Sequence, residues 1–175
     1  MNHPFCNEQR AGSGALLIAV LVLAAGCGGD DGSDALRPVV DQIAPATAAV
    51  EEELGGPQRY FEINATPQLV NLFVARDDGN EVEIYLYHDG ELEPPTPPAP
   101  ASGPTFAASA LDFDPDTVLA QVSEDLPDSD IVVFAVTAGA DGAPELSATV
   151  QSEQGGLLDI ALGPTGEVLS VDPRG

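Results

Sequence analysis

Two stretches of this chain can be laid over each other without a gap, and that likeness limits the fold more than any other feature. Asn71–Leu92, NLFVARDDGNEVEIYLYHDGEL, falls on Ser147–Val168, SATVQSEQGGLLDIALGPTGEV. Val74 meets Val150, Gly79 meets Gly155, Ile84 meets Ile160, Leu86 meets Leu162, and Gly90-Glu91 meets Gly166-Glu167. Upstream, TAAVEEEL (Thr47–Leu54) falls on LAQVSEDL (Leu119–Leu126), matching Ala48, Val50, Glu52 and Leu54 with Ala120, Val122, Glu124 and Leu126. The matches run in chain order and sit at pattern-bearing positions, as an internal duplication leaves them. Units of about 60 to 70 residues bury little surface alone and gain from a mate.

Each copy reads as a helix followed by strands. Thr47, Val50 and Leu54 share one helical face by their three- and four-residue spacing, as do Leu119, Val122 and Leu126. Asp114-Pro115 reads as an N-cap followed by proline in the first turn, and Pro45 plays the matching part in the first copy. Helices this short do not persist alone in water, so each must lie on strands. RYFEIN places Phe61 and Ile63 on one face; LVNLFVA does so with Val70, Leu72 and Val74, and EVEIYLY with Val82, Ile84 and Leu86. IVVFAV, LSATVQ, LLDIALG and EVLSV follow in the second copy. Turns are expected at Asp77–Asn80, Asp89-Gly90, Asp141-Gly142, Gly155-Gly156 and Pro164–Gly166. The expected fold is α+β: two repeated modules, each a short helix packed on a three- to four-stranded antiparallel sheet whose other face stays open.

The modules are bounded as 35–93 and 105–175, joined by a proline-rich linker over 94–104. Pro94, Pro95, Pro97, Pro98, Pro100 and Pro104 make that linker an extended polyproline-type spacer. The helix-plus-sheet unit, closing in GPTGEVLSVDP, resembles PepSY-type and beta-lactamase-inhibitor-like modules, which often occur in tandem. The likeness is carried by Thr165-Gly166-Glu167-Val168, echoed by Asp89-Gly90-Glu91-Leu92, and spans Leu36 to Asp172. It implies extracytoplasmic binding or inhibition of another protein, without catalysis, through surfaces that vary, so no individual residue roles carry over.

The amino-terminal segment places the chain in the cell. Ala15–Ala25 is an unbroken apolar run. A membrane-spanning helix needs about 20 such residues and a secretory signal about 7 to 15, so the run suits a signal peptide over 1–26. Directly after it, Ala24-Ala25-Gly26-Cys27 resembles the lipobox of bacterial lipoproteins, with alanine at Ala24 where leucine is commonest. The resemblance implies cleavage between Gly26 and Cys27 and a diacylglycerol on the Cys27 sulfur. Two acyl chains meet the condition for stable anchoring. GGDDGSD then completes a flexible, hydrated tether over 27–34. The expected location is the extracytoplasmic side of the cell membrane, held by lipid.

Acidic residues outnumber basic ones 29 to 5, for a formal charge of −24. Such a surface repels phosphate backbones, which excludes nucleic acid, and attracts cations or a basic protein. Arginine without lysine, in a chain rich in alanine, glycine and proline, is also what a G+C-rich genome encodes, and acidity suits a salty medium. No glycine-rich loop leads into a lysine, so no nucleotide site is expected. Cleavage leaves His88 as the sole histidine, beside the Asp89-Gly90 turn, and Cys27 as the sole cysteine, which excludes zinc sites built from them. DFDPD (Asp112–Asp116) fails as a calcium loop, because Thr117 and Ser123 stand where glycine and glutamate are required. No catalytic residue, metal or cofactor is expected.

Alternation along the first copy sets Tyr60, Phe73, Tyr85 and Tyr87 away from the helix, in an aromatic patch with Leu69 flanked by Glu62, Glu81 and Glu83. Aromatic residues are enriched at interfaces, which makes these four the expected partner contacts. The function expected is a non-enzymatic protein-binding or regulatory module at the membrane surface, with an unidentified envelope protein as partner. The alternatives are an envelope enzyme using a carboxylate pair, or a small-ligand carrier with an apolar cavity between helix and sheet.

Overall fold

The structure is a computed structural model and describes residues 37–174. The signal peptide, Gly26, Cys27 and the tether therefore lie outside the described residues. A 3-10 turn, Val40–Gln42, leads into α1, Ile43–Glu53. Strands β1 (Arg59–Ala65), β2 (Val70–Arg76), β3 (Glu81–His88) and β4 (Glu91–Leu92) follow, then the short β5 (Ala99–Pro100) and β6 (Phe106–Ala107). The chain continues through α2 (Pro115–Asp125), β7 (Ser129–Ala138), β8 (Pro144–Ser152), β9 (Leu157–Leu162) and β10 (Val168–Pro173). It is an α+β chain with one large antiparallel sheet and few helices, and no described helix is long and apolar enough to cross a membrane.

Local chemistry explains both helices. In α1, Ile43, Ala46, Thr47 and Val50 form the buried stripe. Pro45 sits in the first turn, where its missing N–H has no partner to lose. Glu51, Glu52 and Glu53 crowd the carboxyl end, opposing the helix dipole by about 0.3–1 kcal/mol each. Burial of Ile43 and Val50 contributes about 1.5–3 kcal/mol apiece and outweighs this. Gly55 stops the helix at φ +77, with Gly56 N–H donating to Glu51 O at 2.8 Å and Gly55 N–H to Glu52 O at 3.2 Å. In α2, the Asp114 side chain accepts from Thr117 N–H at 2.7 Å, Pro115 opens the helix, and Val118, Leu119 and Val122 are buried.

The sheet runs β10-β9-β8-β7-β1-β2-β3-β4. At its centre β1 pairs antiparallel with β7: Glu62 stands opposite Thr137, Ile63 opposite Val136, Asn64 opposite Ala135 and Ala65 opposite Phe134. The strands expected of two separate sheets thus continue into one another, which removes two edges that would otherwise expose unpaired backbone groups. One face of the sheet carries the core. Ile63, Leu72, Val136, Ala148, Val150 and Ile160 are buried there, in one cluster with Ile43 and Val50 of α1 and Val118 and Val122 of α2.

The proline-rich stretch spans the two runs of strands and also lies along β3. Glu93 N–H donates to Leu86 O (2.8 Å), Thr96 N–H to Ile84 O (2.9 Å) and Ala101 N–H to Asn80 O (2.9 Å), while Ala99 stands opposite Val82. Glu93, Thr96 and Ala99 repeat every third residue, the period of a polyproline helix. The prolines between them, which have no N–H, stand exposed. An edge built this way offers an incoming strand almost no ladder. Thr96 also accepts the Ile84 N–H on its Oγ1 at 3.1 Å. Replacing Thr96 by valine is expected to cost about 0.5–1.5 kcal/mol and to speed hydrogen exchange at the Ile84 amide, leaving the Ile63 amide unchanged.

Candidate functional site

The second face of the sheet is covered by no described element. Its side chains follow from register. Across the strands, one row runs Leu86, Asn71, Asn64, Ala135, Ser147, Ala161 and Ser170. A second runs Ile84, Phe73, Glu62, Thr137 and Glu145; a third runs Val133, Thr149, Asp159 and Asp172. The β2–β3 side is therefore apolar, with Phe73, Val82, Ile84 and Leu86 all half-buried. The β1–β7–β8–β9 side is polar and acidic, over a floor of small residues.

Hydrogen bonds hold that polar half in place. Asn71 Nδ2 donates to Asn64 Oδ1 at 2.6 Å, and Asn64 Nδ2 donates to Glu62 Oε1 at 2.8 Å. Asp159 accepts from Thr149 Oγ1 at 2.8 Å and from Arg174 Nε at 3.0 Å. Because Ala135 and Ser147 are short, a groove of about 430 Å³ opens between Glu62 and Asn64 on one side and Asp159 and Arg174 on the other. The arrangement suits contact with another surface: fixed acceptors beside half-exposed apolar side chains.

The expected aromatic patch is corrected by this geometry. Tyr60 is wholly buried, Tyr85 and Tyr87 are 3% and 9% exposed, and all three lie on the helix side. Phe73 alone stays on the open face. Two features cause the exchange. β1 shifts register between Tyr60 and Glu62, so Phe61 is the extra residue and Tyr60 joins Val74 on the inner face. The four-residue turn Asp77–Asn80 pairs Arg76 with Glu81 and so sets Leu72 opposite Tyr85 and Val70 opposite Tyr87. Val82, Ile84 and Leu86 consequently face outward, and counting through that turn identifies them from sequence.

The buried phenols differ in their surroundings. Tyr85 donates to Glu83 Oε2 at 3.0 Å, and Arg76 Nε stands 3.4 Å from the same carboxylate. Burial first, and this bond second, raise the Tyr85 pKa. Among the described residues the Tyr60 hydroxyl has no hydrogen-bond partner; its ring centroid lies 6.0 Å from that of Phe106, and burial lifts its pKa further.

The Asp114 pKa is lowered by its bond from the Thr117 amide, and that of Glu167 by bonds from Thr165 within its own turn. Both are local structural contacts. His88 stands exposed at the end of β3, with Nδ1 3.5 Å from Asp89 Oδ2. Among the described residues no group of three His, Cys, Asp or Glu could hold a metal ion. Comparison of the chain with family models, with curated proteins and with solved structures finds no match.

Proposed function

We propose that this chain is a non-enzymatic binding module of the cell envelope, anchored by lipid on Cys27, that holds another envelope protein against the open face of its sheet. The observation that carries the binding role is that face. It extends across both runs of strands, apolar around Phe73, Ile84 and Leu86, hydrogen-bonded around Glu62, Asn64 and Asp159, and uncovered among the described residues. Contiguous half-exposed apolar surface rimmed by fixed polar groups is what interfaces present. A duplicated origin is supported by the order of elements, helix then strands twice over, and by the antiparallel meeting of the first strand of each run. The lipobox-like Ala24–Cys27 supports the anchor, and the tether after it supplies the reach to clear lipid head groups.

The test has two arms in the native host. Radioactive palmitate is expected to label the wild-type chain and not Cys27→Ser; label on the variant, or none on the wild type, overturns the anchor. A photo-crosslinking benzoylphenylalanine at Phe73, on the open face, is expected to give a discrete adduct that the same probe at Glu52, exposed on α1, does not. Equal adducts from both positions, or none from Phe73, overturn the contact face.

A further inference from the structure

We infer that the cleft at the end of the sheet where β7 finishes and β8 begins takes a bulky apolar side chain flanked by lysine or arginine, on a segment of the bound protein. The cleft measures about 570 Å³, within the range of roughly 300–1,000 Å³ typical of ligand sites. Phe113, Leu146, Leu162 and Leu169 supply its apolar walls, and Asp112 and Glu145 its charge; among the described residues no cationic side chain lines it.

The walls are built rather than accidental. Leu146 and Leu162 belong to the buried core. The Phe113 ring is set against the buried Phe134, their centroids 5.5 Å apart. Leu169 is the extra residue where β10 shifts register, and it stands 65% exposed at the cleft, the most exposed of the large apolar side chains described. Bulges of this kind re-aim a side chain. A leucine left in water at the wall of a fixed apolar cleft gains from an occupant that covers it.

Charge selects the chemistry of that occupant. Asp112 and Glu145 are both exposed at the cleft, in a chain of formal charge −24. An apolar group beside an acidic residue would meet repulsion, and one beside a basic residue would meet two carboxylates. The cleft also shares Thr137, Ser147 and Ala161 with the open face, so a protein lying on that face reaches the cleft without a break.

The inference deepens the binding role proposed above and rests on it, but it is read separately. The probe is a fluorescent acetyl-Lys-Leu-Lys-Leu-Lys-amide, titrated by anisotropy into the full chain in a non-ionic detergent, against the same peptide with glutamate for lysine. The lysine peptide is expected to bind and the glutamate peptide not. Asp112→Asn with Glu145→Gln is expected to weaken binding about tenfold, since two exposed charge pairs together reach that size. Leu169→Ser, at an exposed position of β10, is expected to weaken it about fivefold. A matched-charge control, Glu52→Gln with Glu91→Gln, is expected to change it less than about twofold. Equal binding of both peptides, unchanged binding in the cleft variants, or an equal loss in the control overturns the inference. Phe73 crosslinking that survives while the lysine peptide fails to bind overturns the cleft alone and leaves the open face standing.

Discussion

Gly166→Ala is expected to lower the stability of the chain by about 3 kcal/mol, and its melting temperature by roughly 6–12 °C. Gly166 lies in the turn between β9 and β10 at φ +91, and an added Cβ would stand 2.6 Å from Val118 Cα and 2.7 Å from Val118 O. The obstacle is backbone of α2, which cannot swing aside as a side chain can. The same turn is tied to the helix again by Val168 N–H, which donates to Asp125 Oδ2 at 3.2 Å. Gly155→Ala provides the comparison. Gly155 has φ +85 with nothing within 4 Å of the added carbon, so it incurs backbone strain alone, about 1–2 kcal/mol. Thermal unfolding of both variants separates the two contributions. If Gly166→Ala is no worse than Gly155→Ala, the turn does not rest on α2 as described.

Tyr60 supplies the second large effect, because truncation and loss of the hydroxyl act oppositely. Tyr60→Ala removes a wholly buried ring packed near Phe106 and is expected to cost about 3–5 kcal/mol. Tyr60→Phe removes only a hydroxyl that has no partner among the described residues and is expected to be neutral or stabilising by up to about 1 kcal/mol. Urea unfolding measures both. A Tyr60→Ala variant within about 1 kcal/mol of wild type would return Tyr60 to the solvent side as a contact residue. A costly Tyr60→Phe would mean the hydroxyl is bonded within the fold.

These two residues also mark how far the sequence could be read. Gly166 falls inside a turn legible from Pro164-Thr165-Gly166, and the Asp114-Pro115 helix start is met as read, with the Asp114 cap at 2.7 Å. The Asp89-Gly90 hairpin is likewise met, both residues having positive φ at +51 and +83. In β2, alternation selects the right face, because only Val70, Leu72 and Val74 offer a consistent apolar set. In β3 it does not. Val82, Ile84 and Leu86 compete there with Tyr85 and Tyr87, so both faces are apolar and periodicity has two answers. The bulge at Phe61 then moves Tyr60 inward against the pattern of its own strand.

The amino-acid sequence by itself determined the elements and their stops: two short helices, the second opened by the Asp114 cap, glycine and aspartate turns, strands of period two and a proline-rich join. Each depends on residues a few positions apart, whose steric and hydrogen-bonding preferences act before any tertiary contact forms. Tertiary structure decided which strands are neighbours and which face meets water. Ile63 opposite Val136, Thr96 on the backbone of Ile84, and Gly166 against Val118 join residues distant in the chain. Such pairs are selected by the fit of whole surfaces, and one extra residue in a strand is enough to turn the side chains beyond it to the opposite face.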